Sequence, residues 1–266
     1  IEILQERIYK AAEDRYLTSL LYVRGREARL EQEIVLGRGT VAVLEALGIA
    51  PDVIHMNEGH SAFLAVENLK RSGADSLGAA IELCRPRHVF TTHTPVPAGN
   101  EEFKRELVRP HLATTAAALG ATTDELLELG RSPTSDEDFN LTALALGLSH
   151  RANGVSQLHA SVSRKMWPGR EIDGITNGGH LPTWLGREFV ERAGELSDEV
   201  LWAAHTTQKH RLMRFVRLRA MRQAARHGQA SASLRRIQEL LNPAALTIGF
   251  ARRFAPYKRA DLLFHD

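Results

Sequence analysis

Short apolar runs alternate with segments of helical periodicity along most of this chain. Apolar residues recur at helical spacing over residues 26–47, which predicts a helix closed by Gly48. The same periodicity predicts helices over residues 61–71, 139–148, 157–166, 198–225 and 232–241. Apolar runs of β type predict strands at residues 53–57, 88–92 and 246–251, with a strand fragment at 154–156. Strands that alternate with helices favour an α/β fold, in which a parallel sheet carries helices on both faces.

Four cations follow the last predicted strand. Arg252, Arg253, Lys258 and Arg259 lie within eight positions of each other, separated by a short segment that contains an aromatic residue and a proline. Ligands of open α/β sheets bind at the carboxyl ends of the strands. Arginine offers a flat fork of donors to phosphate and lysine offers a point charge. The run therefore predicts a pocket for a dianion such as a phosphoryl group.

Histidines lie at the ends of the two earlier strands. His55 and His60 flank Glu58, but they are five positions apart across a strand-to-helix turn, whereas a helical zinc motif places its histidines four apart. We therefore predict no metal here, and expect Glu58 and His60 either to line a ligand site or to satisfy backbone donors in a polar turn. His93 ends the second strand, where a role in the core and a role in the site are both open.

A glycine-containing loop over residues 173–184 carries a second candidate site. Asn177 precedes Gly178 and Gly179, and a helix begun by a proline then reaches Trp184. An amide suits sugar hydroxyls and an indole ring suits the apolar face of a sugar. The loop is also typical of an interdomain hinge, and the two interpretations are compatible.

Composition narrows the class of protein. Of the 266 residues, 43% are hydrophobic and 25% charged, with a net charge of +2, which is ordinary for a globular protein and gives no field for nucleic acid or membranes. The arginines of residues 209–226 lack interleaved aromatic residues, so we expect a solvated helical face there. The single cysteine, Cys84, favours a cytoplasmic protein. The first residue is Ile1 rather than Met, and we expect the chain to be an excerpt from a longer protein.

Six blocks together resemble the α-glucan phosphorylases, specifically the shorter bacterial and archaeal type. They are residues 32–37, 55–62, 90–99, 144–167, 174–185 and 246–264. The resemblance implies a glycosyltransferase fold of the B type, with two Rossmann-like, doubly wound α/β domains and a cleft between them, only partly present here. Residues 1–176 would be the C-terminal part of the N-terminal domain, and 177–266 the start of the C-terminal domain that binds cofactor and phosphate.

The resemblance also implies roles for eight residues. It assigns His93 to a glucosyl contact, Glu58, Asn177 and Tyr257 to sugar binding, Arg253 and Lys258 to a clamp on substrate phosphate, and Trp184 and Arg252 to pyridoxal phosphate. The implied reaction is phosphorolysis of α-1,4-glucan or maltodextrin by orthophosphate to glucose 1-phosphate. The phosphate group of the cofactor takes part in that reaction.

Two family features are absent from the sequence: the upstream glycine-rich loop and the downstream lysine that forms the Schiff base with the cofactor. We therefore expect this chain alone to be inactive. Two alternative functions stay open: a nucleotide-sugar-dependent glucan synthase of the same fold, and a non-catalytic glucan-binding fragment. The protein could also form a homo-oligomer.

Overall fold

The structure, a computed structural model, describes residues 17–18, 25–190, 197–252 and 258–264. The chain divides into two compact units, Ile1–Gly178 and Gly179–Asp266. None of the helices in these described ranges combines the length and the apolar character needed to cross a lipid bilayer.

In the described residues of the first unit, six strands form two sheets. They are β1 (Ile54–Asn57), β2 (His88–Thr92), β3 (Glu102–Lys104), β4 (Asp138–Asn140), β5 (Arg151–Gly154) and β6 (Asp173–Gly174). The main sheet is parallel throughout, in the order β1-β2-β5-β6, and β3 pairs with β4 in an antiparallel ribbon. The predicted α/β class with a parallel sheet is confirmed.

Seven helices alternate with these strands along the described part of the first unit. They are α1 (Arg26–Ala46), α2 (Phe63–Arg71), α3 (Leu77–Cys84), α4 (Arg105–Ala118), α5 (Thr123–Glu128), α6 (Leu141–Gly147) and α7 (Gln157–Met166). Side-chain hydrogen bonds cap the N-termini of several of these helices. The hydroxyl of Ser156 accepts from the N–H of His159 at the start of α7, and Thr122 and Glu125 form a capping box at α5. The predicted helices at 26–47 and 157–166 are confirmed.

One face of the main sheet carries a buried apolar row. Met56, Phe90 and Ala152 lie opposite each other in the register of β1, β2 and β5, and all three are buried. Apart from Val89, the alternate positions of these three strands carry polar residues, and His55 and Asn57 are exposed there. The described strands run in chain order without reversal, so the doubly wound arrangement with helices on both faces stays a prediction.

Gly37 allows α1 to lie against the start of α2. A Cβ atom built at Gly37 would lie 2.5 Å from the backbone N of Leu64 and 2.6 Å from the carbonyl carbon of Phe63. Because only glycine lacks that atom, the two backbones meet at this point. The contact fixes α1 beside the turn that leads from β1 into α2.

The described residues of the second unit are helical where they have regular structure. Its described helices are α8 (Leu181–Trp184), α9 (Arg187–Val190), α10 (Asp198–Arg226) and α11 (Ser231–Glu239). The strand predicted at residues 246–251 is wrong: these residues have no regular structure, and Leu246 and Ile248 are 87% and 71% exposed. A strand needs a neighbour to pair its N–H and C=O groups, and the described residues of this unit include no other strand.

Candidate active site at the carboxyl edge of the sheet

Two predicted site residues meet where β1 and β2 end. The Glu58 carboxylate accepts the backbone N–H of His93 through Oε1 and the hydroxyl of Thr94 through Oε2, the latter at 3.0 Å. The Nε2 of His93 lies 2.8 Å from Oδ1 of Asn57. Because an amide oxygen only accepts, this bond places a proton on Nε2. The structure therefore ties the ends of the two strands together with polar side chains.

Glu58 holds this position with an unusual backbone. Its φ of 72° and ψ of 163° lie in a region that glycine enters and other residues rarely do. Its N–H donates to the carbonyl of Thr91 at 2.9 Å, which extends the pairing of β1 with β2 by one residue. Strained conformations of this kind persist where the surrounding structure enforces them, and they concentrate at functional sites.

The 3-10 turn of Gly59–Ser61 follows Glu58 directly. A Cβ atom at Gly59 would lie 3.1 Å from Oγ1 of Thr142 and 3.2 Å from Cβ of Leu141, so the start of α6 closes on this turn. The Ser61 hydroxyl donates to the carbonyl of Glu58 at 2.8 Å. His60 in this turn is half-buried.

His159 on α7 supports the segment after His93. The N–H of Val155 donates to Nδ1 of His159 at 3.2 Å, so the ring carries its proton on Nε2. That nitrogen lies 3.1 Å from the carbonyl of Thr94, to which it donates. Sequence reasoning missed His159, Asn57 and Thr94. The sequence signal that could have indicated His159 is its position three residues after Ser156, which caps α7 just after β5 ends.

A second polar row crosses the sheet below the edge. The Thr91 hydroxyl donates to Oδ1 of Asn153 at 2.7 Å and lies 2.6 Å from Nε2 of His55. The side chain of His55 thus forms a hydrogen bond with the neighbouring strand, whereas His60 lies in the turn that follows β1. Among the residues the structure describes, no group of three or more potential ligands could hold a metal ion.

Asn177 lies at the same edge, beyond β5 and β6. Its N–H donates to the carbonyl of Val155 at 3.1 Å, and the N–H of Ile175 donates to that of Gly154 at 3.0 Å. Asn177 is exposed and belongs to the first unit. The structure therefore brings Glu58, His93 and Asn177 to one edge of one sheet, which is where α/β folds bind ligands.

The remaining predicted residues belong to the second unit. Trp184 is 82% exposed, Arg252 is exposed and Lys258 is half-buried. Arg253 and Tyr257 lie outside the described residues. The phosphate clamp and the cofactor contacts therefore stay predictions.

A polar, partly strained cluster at the carboxyl edge of a parallel sheet is typical of α/β enzymes. No protein-family model matches the chain. The chain is 37% identical to maltodextrin phosphorylase of Thermococcus litoralis, over 96% of this chain and 33% of the relative. It is 34% identical to the glycogen phosphorylases of Mycobacterium tuberculosis and Aquifex aeolicus, over 95% of this chain in both alignments and over 34% and 41% of the relatives.

These alignments confirm the resemblance to α-glucan phosphorylases over nearly the whole of this chain. The chain spans between about a third and two fifths of the length of these relatives. The chain is thus related to the α-glucan phosphorylases, which are enzymes, and it aligns with part of the length of each relative.

Proposed function

We propose that this chain is part of an α-glucan phosphorylase and contributes one wall of its active site. The whole protein would cleave the terminal α-1,4 bond of a glucan with orthophosphate and release glucose 1-phosphate. The C1–O bond to the rest of the glucan breaks, a phosphate oxygen bonds to C1, and the departing 4-oxygen takes up a proton from the orthophosphate to become a hydroxyl. The observation that carries the proposal is the junction of Glu58 and His93, within a chain related to phosphorylases.

The roles proposed for the first unit follow from what each side chain can bind. His93 would contact the glucosyl unit, since its ring is exposed and its orientation is fixed by Asn57. Glu58 holds the backbone of the segment that carries His93 and would border the sugar. Asn177 would bind sugar hydroxyls with its amide, which both donates and accepts hydrogen bonds. Fixed groups of this kind orient a substrate without reorganising water.

The second unit would bind the charged groups. Arg253 and Lys258 would hold orthophosphate, and Tyr257 would contact the sugar. In the proposed glycosyltransferase fold of the B type, with two doubly wound domains, the second domain would begin near the boundary between the two compact units, which falls after Gly178, whereas the sequence predicts it from residue 177. The whole protein would act in the cytoplasm, and a homo-oligomer is compatible with this proposal.

Arg252 and Trp184 have the chemistry to hold pyridoxal phosphate. Both side chains are exposed, so they are accessible to a ligand; guanidinium is a strong donor to phosphate and an indole ring packs against an aromatic cofactor. When bound, the cofactor supplies a phosphate group that works beside the orthophosphate. The residues of this chain would orient the two phosphates and balance their charge.

The test is an assay of the full-length protein with maltodextrin. Glucose 1-phosphate should form only when orthophosphate and pyridoxal phosphate are both present. Glucan extension from a nucleotide sugar, without phosphorolysis, would instead establish the synthase. Glucan binding without either reaction would establish a non-catalytic protein.

The chain of 266 residues should not catalyse phosphorolysis by itself, because the sequence contains neither the glycine-rich loop nor the lysine expected for the cofactor. The measurement is the same assay with this chain at matched concentration. Turnover comparable to that of the full-length protein would mean that the essential groups are assigned wrongly.

A further inference from the structure

A buried histidine joins the two segments of the carboxyl edge that carry proposed sugar contacts. His159 on α7 is 8% exposed. The end of β5 makes room for its ring: a Cβ atom at Gly154 would lie 2.8 Å from Nδ1 of His159 and 2.9 Å from the backbone N of Ala160. A side chain at residue 154 would therefore displace the ring or the start of α7.

One ring nitrogen of His159 is bonded toward the segment that carries Asn177. Nδ1 accepts the N–H of Val155 at 3.2 Å, and the carbonyl of Val155 accepts the N–H of Asn177 at 3.1 Å. Asn177 is thus connected to the ring through the two polar backbone groups of a single residue.

The other ring nitrogen is bonded toward the segment that carries His93. Nε2 of His159 lies 3.1 Å from the carbonyl of Thr94, to which it donates because Nδ1 already accepts. The hydroxyl of Thr94 donates to Oε2 of Glu58 at 3.0 Å, and Oε1 of Glu58 accepts the N–H of His93. The carbonyl and the hydroxyl of Thr94, the residue after His93, are thus both bonded.

We propose that His159 is a positioning residue that fixes the spacing between His93 and Asn177. A neutral imidazole accepts at one nitrogen and donates at the other, and this series of hydrogen bonds needs both functions at once. Because the ring is buried and both of its nitrogens are bonded, it holds the two segments at one separation. The effect on sugar binding rests on the proposed function, whereas the hydrogen bonds of His159 do not.

Two amide variants separate the two bonds of the ring. Glutamine at residue 159 places an N–H near the position of Nε2, and asparagine places an oxygen near that of Nδ1. His159→Gln should therefore keep the bond to Thr94 and lose the one from Val155, and His159→Asn should do the reverse. His159→Leu should lose both.

His88 offers a matched control at the opposite end of β2. It is 1% exposed, its Nδ1 lies 3.0 Å from the carbonyl of Leu148, and its Nε2 lies 3.0 Å from Nδ2 of Asn68. His88→Leu thus removes a buried, doubly bonded imidazole from the amino end of the strand that leads to His93. It should lower stability without changing the carboxyl edge.

NMR of the full-length protein, labelled with ¹⁵N at histidine and asparagine, tests the positions without reference to activity. The His159 ring should show a protonated Nε2 and an unprotonated Nδ1. The ring signals of His93 should move more in His159→Asn than in His159→Gln, and the backbone amide signal of Asn177 should show the reverse. Both should move in His159→Leu, and neither should move in His88→Leu.

Two results would overturn the inference: a proton on Nδ1 of His159, or a signal of His93 or Asn177 that stays in place in His159→Leu. The measurement on the His159 ring uses the unsubstituted protein, so it tests the inference even where a variant does not fold.

Kinetics of the full-length enzyme test the consequence for the sugar. In His159→Leu the kcat/KM for maltodextrin should fall about 10–100-fold, since a misplacement on the order of 1 Å costs up to about 10²-fold. The KM for orthophosphate should stay unchanged, because phosphate is proposed to bind in the second unit. Both amide variants should retain more activity than His159→Leu, and His88→Leu should retain full kcat/KM.

An equal loss of activity in His88→Leu, or a KM for orthophosphate that rises as much as that for maltodextrin, would refute the positioning role. Absence of phosphorolysis in the unsubstituted enzyme would refute the proposed function and leave the NMR result intact.

Discussion

Glu58 combines an unfavourable backbone with favourable side-chain contacts. Its φ of 72° and ψ of 163° suit glycine, and a residue with a side chain loses on the order of 1–3 kcal/mol there. Its carboxylate accepts bonds from the N–H of His93 and the hydroxyl of Thr94. A charged residue at a position suited to glycine supports the view that the carboxylate serves the site.

Replacing Glu58 separates the two contributions. Both Glu58→Ala and Glu58→Gly lose the carboxylate, and activity of the full-length enzyme should fall sharply in both. The glycine variant should nevertheless be more stable than the alanine variant by about 1–3 kcal/mol, because only alanine retains the backbone strain. Urea denaturation of the two variants measures the difference. Equal stability, or a more stable alanine variant, would show that the backbone of residue 58 is not strained.

The cations after residue 251 carry the second prediction at this scale. If Arg253 and Lys258 clamp orthophosphate, Arg253→Ala or Lys258→Ala in the full-length enzyme should cost about 2–4 kcal/mol in the transition state, roughly 10²–10³-fold in rate. Arg253→Lys should also lose activity, since a point charge does not reproduce a fork of donors. Initial rates at varied orthophosphate measure this. Unchanged turnover and phosphate affinity in both alanine variants would remove the clamp from the proposal.

At the scale of elements, the packing of α1 on α2 fixes the position of the turn of residues 59–61, which follows Glu58. Gly37 makes that packing possible, because any Cβ there would meet the backbone of residues 63–64. Helix propensity alone would favour alanine at such a position, by about 1 kcal/mol. Packing therefore opposes propensity at this residue.

Gly37→Ala should destabilise the chain by about 1–3 kcal/mol, since the added methyl group is overpacked against backbone that cannot rotate away. Gly78→Ala is the matched control: it lies in α3 with no atom within 4 Å of the added Cβ, and it should be neutral or stabilising by up to about 1 kcal/mol. Thermal and urea denaturation of both variants are the measurements. Effects of the same sign would contradict the proposed contact.

For the whole molecule, the buried carboxyl group of Glu33 on α1 makes the free energy of unfolding depend on pH. The pKa of Glu33 is about 8 in the folded chain against an ordinary value of 4.5. Between those values the folded state binds one more proton than the unfolded state, so the free energy of unfolding decreases as pH rises. The contribution is present in full below about pH 4.5 and is lost as pH rises through about 8.

Raising the pH from 5 to 8 should therefore lower the free energy of unfolding by up to about 4 kcal/mol through Glu33, at roughly 1.4 kcal/mol per pH unit. Glu33→Gln should remove this slope, because glutamine does not titrate. Urea denaturation at several pH values compares the unsubstituted chain, Glu33→Gln and the exposed control Glu82→Gln. Parallel pH dependence in all three would show that Glu33 does not hold its proton.

Sequence pattern predicted those helices and strands whose apolar spacing and terminal residues lie close together in the sequence. The strands of β1 and β2 and the helices α1 and α7 formed where their apolar spacing indicated, and Glu58 and His93 were placed correctly at strand ends. Pattern failed at residues 246–251, where an apolar run lacks a pairing strand among the described residues, since a strand depends on a neighbour that spacing does not report.

The sequence by itself determined the α/β class, the edge of the sheet at which the polar residues gather, and the relation to phosphorylases, because these depend on short-range period and on residue identity. Tertiary structure alone decided the bond between His93 and Asn57, the backbone of Glu58, the close approach at Gly37 and the burial of Glu33. Each of these arises between groups distant in the chain, where burial and contact, rather than the residue type, set the geometry and the charge.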